Sequence, residues 1–195
     1  MHAMTASLEK TDGEMVRAYR SGDRQAYDAL VRKHFGVVYA VAYARLRNRE
    51  TAEDLAQEVF VRAYLFLGKL DDPERYGPWV CRIARNLALD WLRRGQHASK
   101  VLPMVNLDDH ADALRDTKTP EPGHALAQQE EQSLLLRAVD RLPAEQREMV
   151  LLHYMEQLSQ GEIAERLGVH RTSVCRQLNQ SLKSMRGWLE PALRA

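Results

Sequence analysis

The 195 residues carry 28 Lys and Arg against 27 Asp and Glu, and a net charge of +1 excludes a protein that coats nucleic acid through a global basic excess. Any such contact must be local. The two cysteines, Cys81 and Cys175, lie far apart and the seven histidines form no obvious ligand box, so the spacing shows no disulfide framework and no recognisable metal motif; reduced thiols are expected, with a redox pair of the two as the alternative.

The N-terminal MHAMTASLEKTDGEM lacks the apolar core of a secretion signal, and no later run is long enough to span a bilayer, which predicts a cytoplasmic protein. A short helix is expected over Gly13–Arg20. From Asp23 to Arg94 the pattern is helical almost throughout, in three apolar stripes. Leu30, Val31, Phe35, Val38, Ala42 and Leu46 make the first, and Leu55, Val59, Ala63, Phe66 and Leu70 the second. Val80, Ile83, Ala84, Leu87 and Trp91 make the third. Breaks are predicted at the polar Arg47–Glu50 and over Asp71–Pro78, where two prolines and Gly77 oppose a continuous helix. Three such stripes close a bundle core.

Within the second stripe, TAEDLAQEVFVRAY turns Leu55, Val59 and Ala63 inward and leaves Glu53, Asp54, Gln57 and Glu58 as an acidic and amide face, which suits either solvent or a basic partner. The third stripe, WVCRIARNLALDWLRR, leaves Arg82, Arg85, Asn86, Arg93 and Arg94 outside, a local basic stripe of the kind that contacts phosphate. Asp90 is placed to orient one of these arginines.

Between Gly95 and about Gly123 the periodicity is lost, and Pro103, Pro120 and Pro122 accompany Asp108, Asp109, Asp112 and Asp116. This reads as an acidic linker. Helical pattern returns over Ala125–Leu142 and again after Pro143, placed as a first-turn proline. The chain is therefore all-α, two small helical domains on a flexible acidic linker, with boundaries at 1–95, 96–124 and 125–195.

The last stretch, SQGEIAERLGVHRTSV, opens with Ser159 and Glu162 in capping-box spacing, and Gly168 tolerates the left-handed turn that ends the helix. Val174, Leu178 and Leu182 then resume the apolar period. Two helices with a tight turn fit an ordinary helical hairpin or a helix-turn-helix, whose second helix enters the major groove. Its outward set is His170, Arg171, Thr172, Ser173, Arg176, Gln177 and Asn179, all able to hydrogen-bond to bases or phosphates.

Together TAEDLAQEVFVRAY, WVCRIARNLALDWLRR and LPAEQREMVLLHYMEQLSQGEIAERLGV resemble, in order, a bacterial RNA polymerase sigma factor of the extracytoplasmic function (ECF) type. The resemblance implies sigma domain 2 followed by sigma domain 4, with no domain 3 between them. It implies an alternative sigma factor directing promoter-specific initiation, with no catalysis of its own. Its partners would be the polymerase core, at the largest subunit's coiled coil and the flap region, promoter DNA and an anti-sigma factor. In these terms Glu53, Asp54, Gln57 and Glu58 dock on core. The loop KLDDPERYGPW accepts a base flipped from the −10 element, with Tyr76 stacking and Asp71, Asp72 and Arg75 bonding base edges, while Arg82, Arg85, Asn86, Arg93 and Arg94 complete the −10 surface. Trp79 is expected to pack beneath the loop. The seven outward residues of the second helix read the −35 element as duplex. The linker aspartates would occupy basic polymerase surfaces until RNA displaces them.

One departure stands out: Cys175, Gln177 and Gln180 take positions where the commoner family pattern has Lys or Arg, which implies an unusual −35 sequence or greater reliance on domain 2. A stand-alone helix-turn-helix regulator is the competing reading. No metal cluster and no nucleophile with its base is found, so neither an enzyme nor a cofactor nor a small-molecule substrate is expected.

Overall fold

A computed structural model describes residues 10–98 and 134–193, all of whose regular elements are helical. The first four helices are α1 (Asp12–Arg20), α2 (Arg24–Leu46), α3 (Arg49–Phe66) and α4 (Tyr76–Ala98). The second group is α5 (134–141), α6 (Ala144–Tyr154), α7 (Gln160–Leu167) and α8 (Arg171–Leu193). The linker aspartates Asp108, Asp109, Asp112 and Asp116 lie outside the described residues.

Local chemistry sets the helix ends. Thr11 and Glu14 form a capping box at α1, with Glu14 N–H donating to Thr11 Oγ1 at 3.1 Å and Thr11 N–H to the Glu14 carboxylate at 2.8 Å. Asp23 caps α2 by accepting from Gln25 N–H. That helix stops where Arg47 turns left-handed at φ 52°, and Asn48 starts α3 by accepting from Thr51 N–H at 2.8 Å. The predicted break over Asp71–Pro78 is shorter than expected: α4 begins at Tyr76. Pro78 is tolerated there because first-turn N–H groups have no intrahelical acceptor to lose. Pro143 sits one position earlier than predicted, at the N-cap of α6 with extended backbone.

The core is built around α2, which packs against α1, α3, α4 and α6. Leu30 and Val38 of the expected stripe are buried, but so are Val37, Ala40, Val41 and Ala44 on its other side. A helix apolar on nearly all sides is a buried helix. Its second half is sandwiched, with Tyr39, Ala40 and Tyr43 facing Leu136, Leu151 and Met155. Two stripe residues are corrected. Phe66 is 47% exposed at the last position of α3, with Lys69 Nζ 5.2 Å from its ring centroid, and Trp91 is 43% exposed on α4, neither enclosed by the described residues. Leu182 is likewise exposed, whereas Val174, Leu178 and Met185 hold α8 to its module.

The two groups are in direct contact. Arg147 of α6 donates to Val139, Asp140 and Leu142 carbonyls at the end of α5, and across the boundary to the Ala44 carbonyl in the last turn of α2. One guanidinium thereby caps two helix C-termini.

Candidate nucleic-acid and partner interfaces

The helix-turn-helix forms as its sequence predicts. Ser159 N–H donates to Glu162 Oε2 at 2.8 Å, Glu162 N–H returns to Ser159 Oγ at 3.3 Å, and Gly168 ends α7 at φ 66°. His170 precedes α8; its Nδ1 lies 2.8 Å from Thr172 Oγ1 and accepts from Thr172 N–H at 3.4 Å, while its carbonyl accepts from Ser173 and Val174 N–H. Arg171, Thr172, Arg176 and Asn179 are exposed along the helix, while Ser173 and Gln177 are half-buried at its margin. Ser181, one turn on, is buried and donates to the Gln177 carbonyl at 2.7 Å. Cys175 is a free thiol beside Asn179, and Cys81 is a free thiol inside the other module, its pKa pushed up to about 11 by burial. Among the described residues no metal-ligand cluster assembles, and no helix is long and apolar enough to cross a membrane.

The expected −10 surface gathers around a cleft of about 790 Å³ lined by Asp71, Asp72, Arg75, Trp79, Arg82, Arg85 and Asn86. Asp71, Asp72, Arg75, Arg82 and Asn86 are exposed, as are Arg93 and Arg94 further along α4. Asp72 is committed locally, accepting from Glu74 N–H at 3.0 Å, and Asp90 stands 3.5 Å from Arg93, as an orienting carboxylate would. Tyr76 is a correction: its side chain is fully buried as the first residue of α4, edge-on to His34 at 5.1 Å and 5.9 Å from Trp79, so it presents no platform to a base. Trp79 is half-buried beneath the loop, as expected. The sequence reading missed the loop's anchors. Arg20 donates to the Leu67 and Leu70 carbonyls, and Arg17 pairs with Glu74 at 3.0 Å. Arg85 differs from its neighbours, since Glu148 and the Leu167 carbonyl hold its guanidinium, each at 2.9 Å.

Under this surface His34 is wholly buried. Its Nε2 lies 2.9 Å from Asp12 of α1 and its Nδ1 2.9 Å from Arg166 Nη1 of α7, with Lys33 and Tyr76 also nearby. An arginine at Nδ1 requires a ring nitrogen that accepts, hence a neutral imidazole. Burial lowers the His34 pKa, opposed by Asp12 and aided by Arg166 and Lys33. Asp12 is lowered too: burial alone would raise it, but the contacts with His34 and Lys33 prevail. Both folded-state values lie below their unfolded ones, so the native state binds fewer protons. Stability from His34 is complete above its ordinary value near 6.5 and is lost as pH falls through the lower folded value; Asp12 adds the same sign in stronger acid. Urea midpoints are expected to fall from pH 7 to pH 5, and His34→Gln to flatten that slope. An equally steep slope in the variant counts against His34.

On α3, Glu53, Asp54, Gln57 and Glu58 are all exposed, and Glu58 pairs with Arg62 at 2.6 Å. Beside this face runs an apolar surface that stripe reading assigned to no role. Val61, Tyr64 and Leu65 are exposed and, with Tyr27, Val31, Phe35 and Phe60, line a shallow groove of about 380 Å³. Adjacent acidic and apolar surfaces are what a protein-docking face needs.

The chain matches two family patterns in order, sigma-70 region 2 over residues 30–98 and sigma-70 region 4 over residues 132–185. It is 34% identical over 169 residues to the probable RNA polymerase sigma factor RfaY of Xanthomonas campestris, covering 87% of this chain and 42% of that one. It is 31% identical over 184 residues to the ECF RNA polymerase sigma factor SigM of Mycobacterium tuberculosis, covering 93% of this chain and 87% of that protein. In fold it is similar to the sigma factor RpoE of Bartonella quintana, solved with the anti-sigma factor NepR, at a TM-score of 0.64 and 16% identity over 85% of this chain and 98% of that one. With regions 2 and 4 present in order on an all-helical frame, the chain belongs to the ECF RNA polymerase sigma factors.

Proposed function

We propose that this sigma factor docks on core polymerase through α3, reads a −35 element as duplex with the start of α8, and captures a melted −10 strand along the cleft beside α4. The carrying observation is the capped, exposed N-terminus of α8, which presents Arg171, Thr172, Arg176 and Asn179 while its apolar side is fixed in the module. Polar side chains around an exposed helix start suit base edges and phosphates together. Asp71, Arg75, Arg82 and Asn86 are the side chains we assign to the single strand, and Tyr76 leaves that set. Control by an anti-sigma factor is part of the proposal, supported by the Bartonella quintana relative, whose co-crystal partner is one. The boundaries 1–95, 96–124 and 125–195 are proposed as functional divisions, with α4 continuing to Ala98.

Run-off transcription with purified core polymerase on pooled promoter fragments, followed by sequencing of transcript starts, tests the proposal. Starts that appear only with the protein and share paired upstream elements are expected. Absence of such starts, together with binding of a specific duplex by the protein alone, would favour the stand-alone regulator. On a duplex recovered this way, Arg171→Ala and Arg176→Ala are each expected to weaken binding by about 1–3 kcal/mol if bidentate to guanine, with relaxed specificity at one base position. A uniform loss across sequences, with a shallower salt dependence, would reassign that arginine to phosphate.

A further inference from the structure

We propose that the free chain is held closed by Glu148, and that closure withholds the −10 surface while leaving the −35 reading helix exposed. What the closure controls rests on the function proposed above; the closure itself rests on geometry alone.

Glu148 of α6 is 1% exposed, and each carboxylate oxygen meets an arginine from the first module: Oε1 lies 2.9 Å from Arg85 Nε, and Oε2 3.0 Å from Arg45 Nη1. Arg85 is thereby removed from the −10 surface. Its Nη1 also donates to the Leu167 carbonyl at the end of α7, which ties the −10 helix to the turn of the helix-turn-helix. Residues 164–169 of α7 and its turn form one wall of the same cleft that Asp71, Arg75, Arg82 and Asn86 line. Arg171 and Thr172, which open α8, are not among the residues lining this cleft and stay exposed.

Gly36, with Gly77 in part, fits the first module to this packing. Gly36 lies inside α2 and Gly77 in the first turn of α4, and neither has positive φ. Glycine inside a helix is unfavourable and needs a packing reason. A Cβ on Gly36 would overlap the Glu156 carboxylate, and one on Gly77 would stand 3.1 Å from Arg166 Nη1. Glu156 comes from the second module, whereas Gly77 is approached from both, by Arg166 and by His34 Cε1 at 3.3 Å. Arg166 is also the residue that reaches His34.

A buried carboxylate between two guanidiniums is stable only while the set is complete, because removing one partner leaves uncompensated charge in a dry site. When the modules part, every member of the set gains water. Such an interface has two states and few between them, which suits a device that must release Arg85 and the cleft together.

The test measures the distance between labels on Gln25→Cys and Lys183→Cys, both exposed, in the full chain carrying Cys175→Ser, and repeats it with Glu148→Gln. The parent is expected to give one short, narrow distance. Glu148→Gln should shift the population toward a long, broad distribution by about tenfold or more, with helix content by circular dichroism unchanged. Binding of a random-sequence single-stranded oligonucleotide should tighten in the same proportion, and binding of a random-sequence duplex should hold constant. A broad distance in the parent overturns closure, and a short one in Glu148→Gln overturns the latch. Opening without a gain in single-strand binding overturns withholding of the −10 surface and leaves the transcription test of the function untouched. If Glu148→Gln loses helix content, Arg45→Met decides by the same distances, since it breaks the set from the other module.

Discussion

Arg147→Met is expected to lower stability by about 3–5 kcal/mol, the largest loss of any single substitution considered, and to lower the melting temperature by roughly 6–20 °C. The side chain is 4% exposed, and its guanidinium makes four hydrogen bonds to carbonyls at the ends of two helices. Its Nε donates to Val139 O at 3.2 Å, its Nη2 to Asp140 O at 2.7 Å and Leu142 O at 2.6 Å, and its Nη1 to Ala44 O. Methionine fills much of the volume but leaves the Ala44, Asp140 and Leu142 carbonyls without this donor, while Val139 O keeps the Leu142 N–H at 3.1 Å, at a cost of about 1–3 kcal/mol for each that water cannot reach. Lysine should recover only part of the loss, since a single ammonium cannot reproduce the planar fork. Thermal unfolding followed by circular dichroism is the measurement. A melting temperature within two or three degrees of the parent would mean that these bonds have no net effect.

The features legible in the sequence are those whose cause is local. Thr11 with Glu14 and Ser159 with Glu162 satisfy their own helix ends, and Gly168 turns its own helix, so spacing alone placed them. The features that were not legible depend on residues distant in the chain. Arg147 and Glu148 read as ordinary polar positions on a helix surface and Arg85 as part of the −10 surface, and nothing near them in sequence says that they meet across the two modules. A signal was present in α2, where Val37, Ala40, Val41 and Ala44 exceed what one stripe requires and mark a second partner for that helix. Tyr76 misled because an aromatic beside DDPER suggests a loop platform, whereas it begins α4 and fills the space over His34. Phe66 and Trp91 kept their period, but periodicity marks a face without saying how far along it a neighbour extends. The candidate surfaces were more legible than the packing between modules, since an exposed patch follows from one helix alone.

The largest functional effect is expected from charge reversal on α3. Glu53→Lys with Asp54→Lys should weaken capture by core polymerase about a hundredfold or more and abolish run-off transcripts, because like charges brought together at an interface cost several kcal/mol. Both side chains are exposed, neither makes an ion pair among the described residues, and substitutions at such positions change stability by about 0.5 kcal/mol or less. Loss of capture therefore cannot be traced to unfolding, and melting of the variant should coincide with the parent's. Duplex binding by α8 should be unchanged, since it belongs to the other module. The neighbouring apolar surface separates the two components of docking. Val61→Ser with Leu65→Ser should weaken capture to a similar extent at low and high salt, whereas the α3 charges should matter most at low ionic strength. If both acidic positions tolerate lysine with capture intact at physiological salt, α3 does not face a basic surface of the polymerase. The groove beside it would then be the contact, and the acidic residues only its solvated edge.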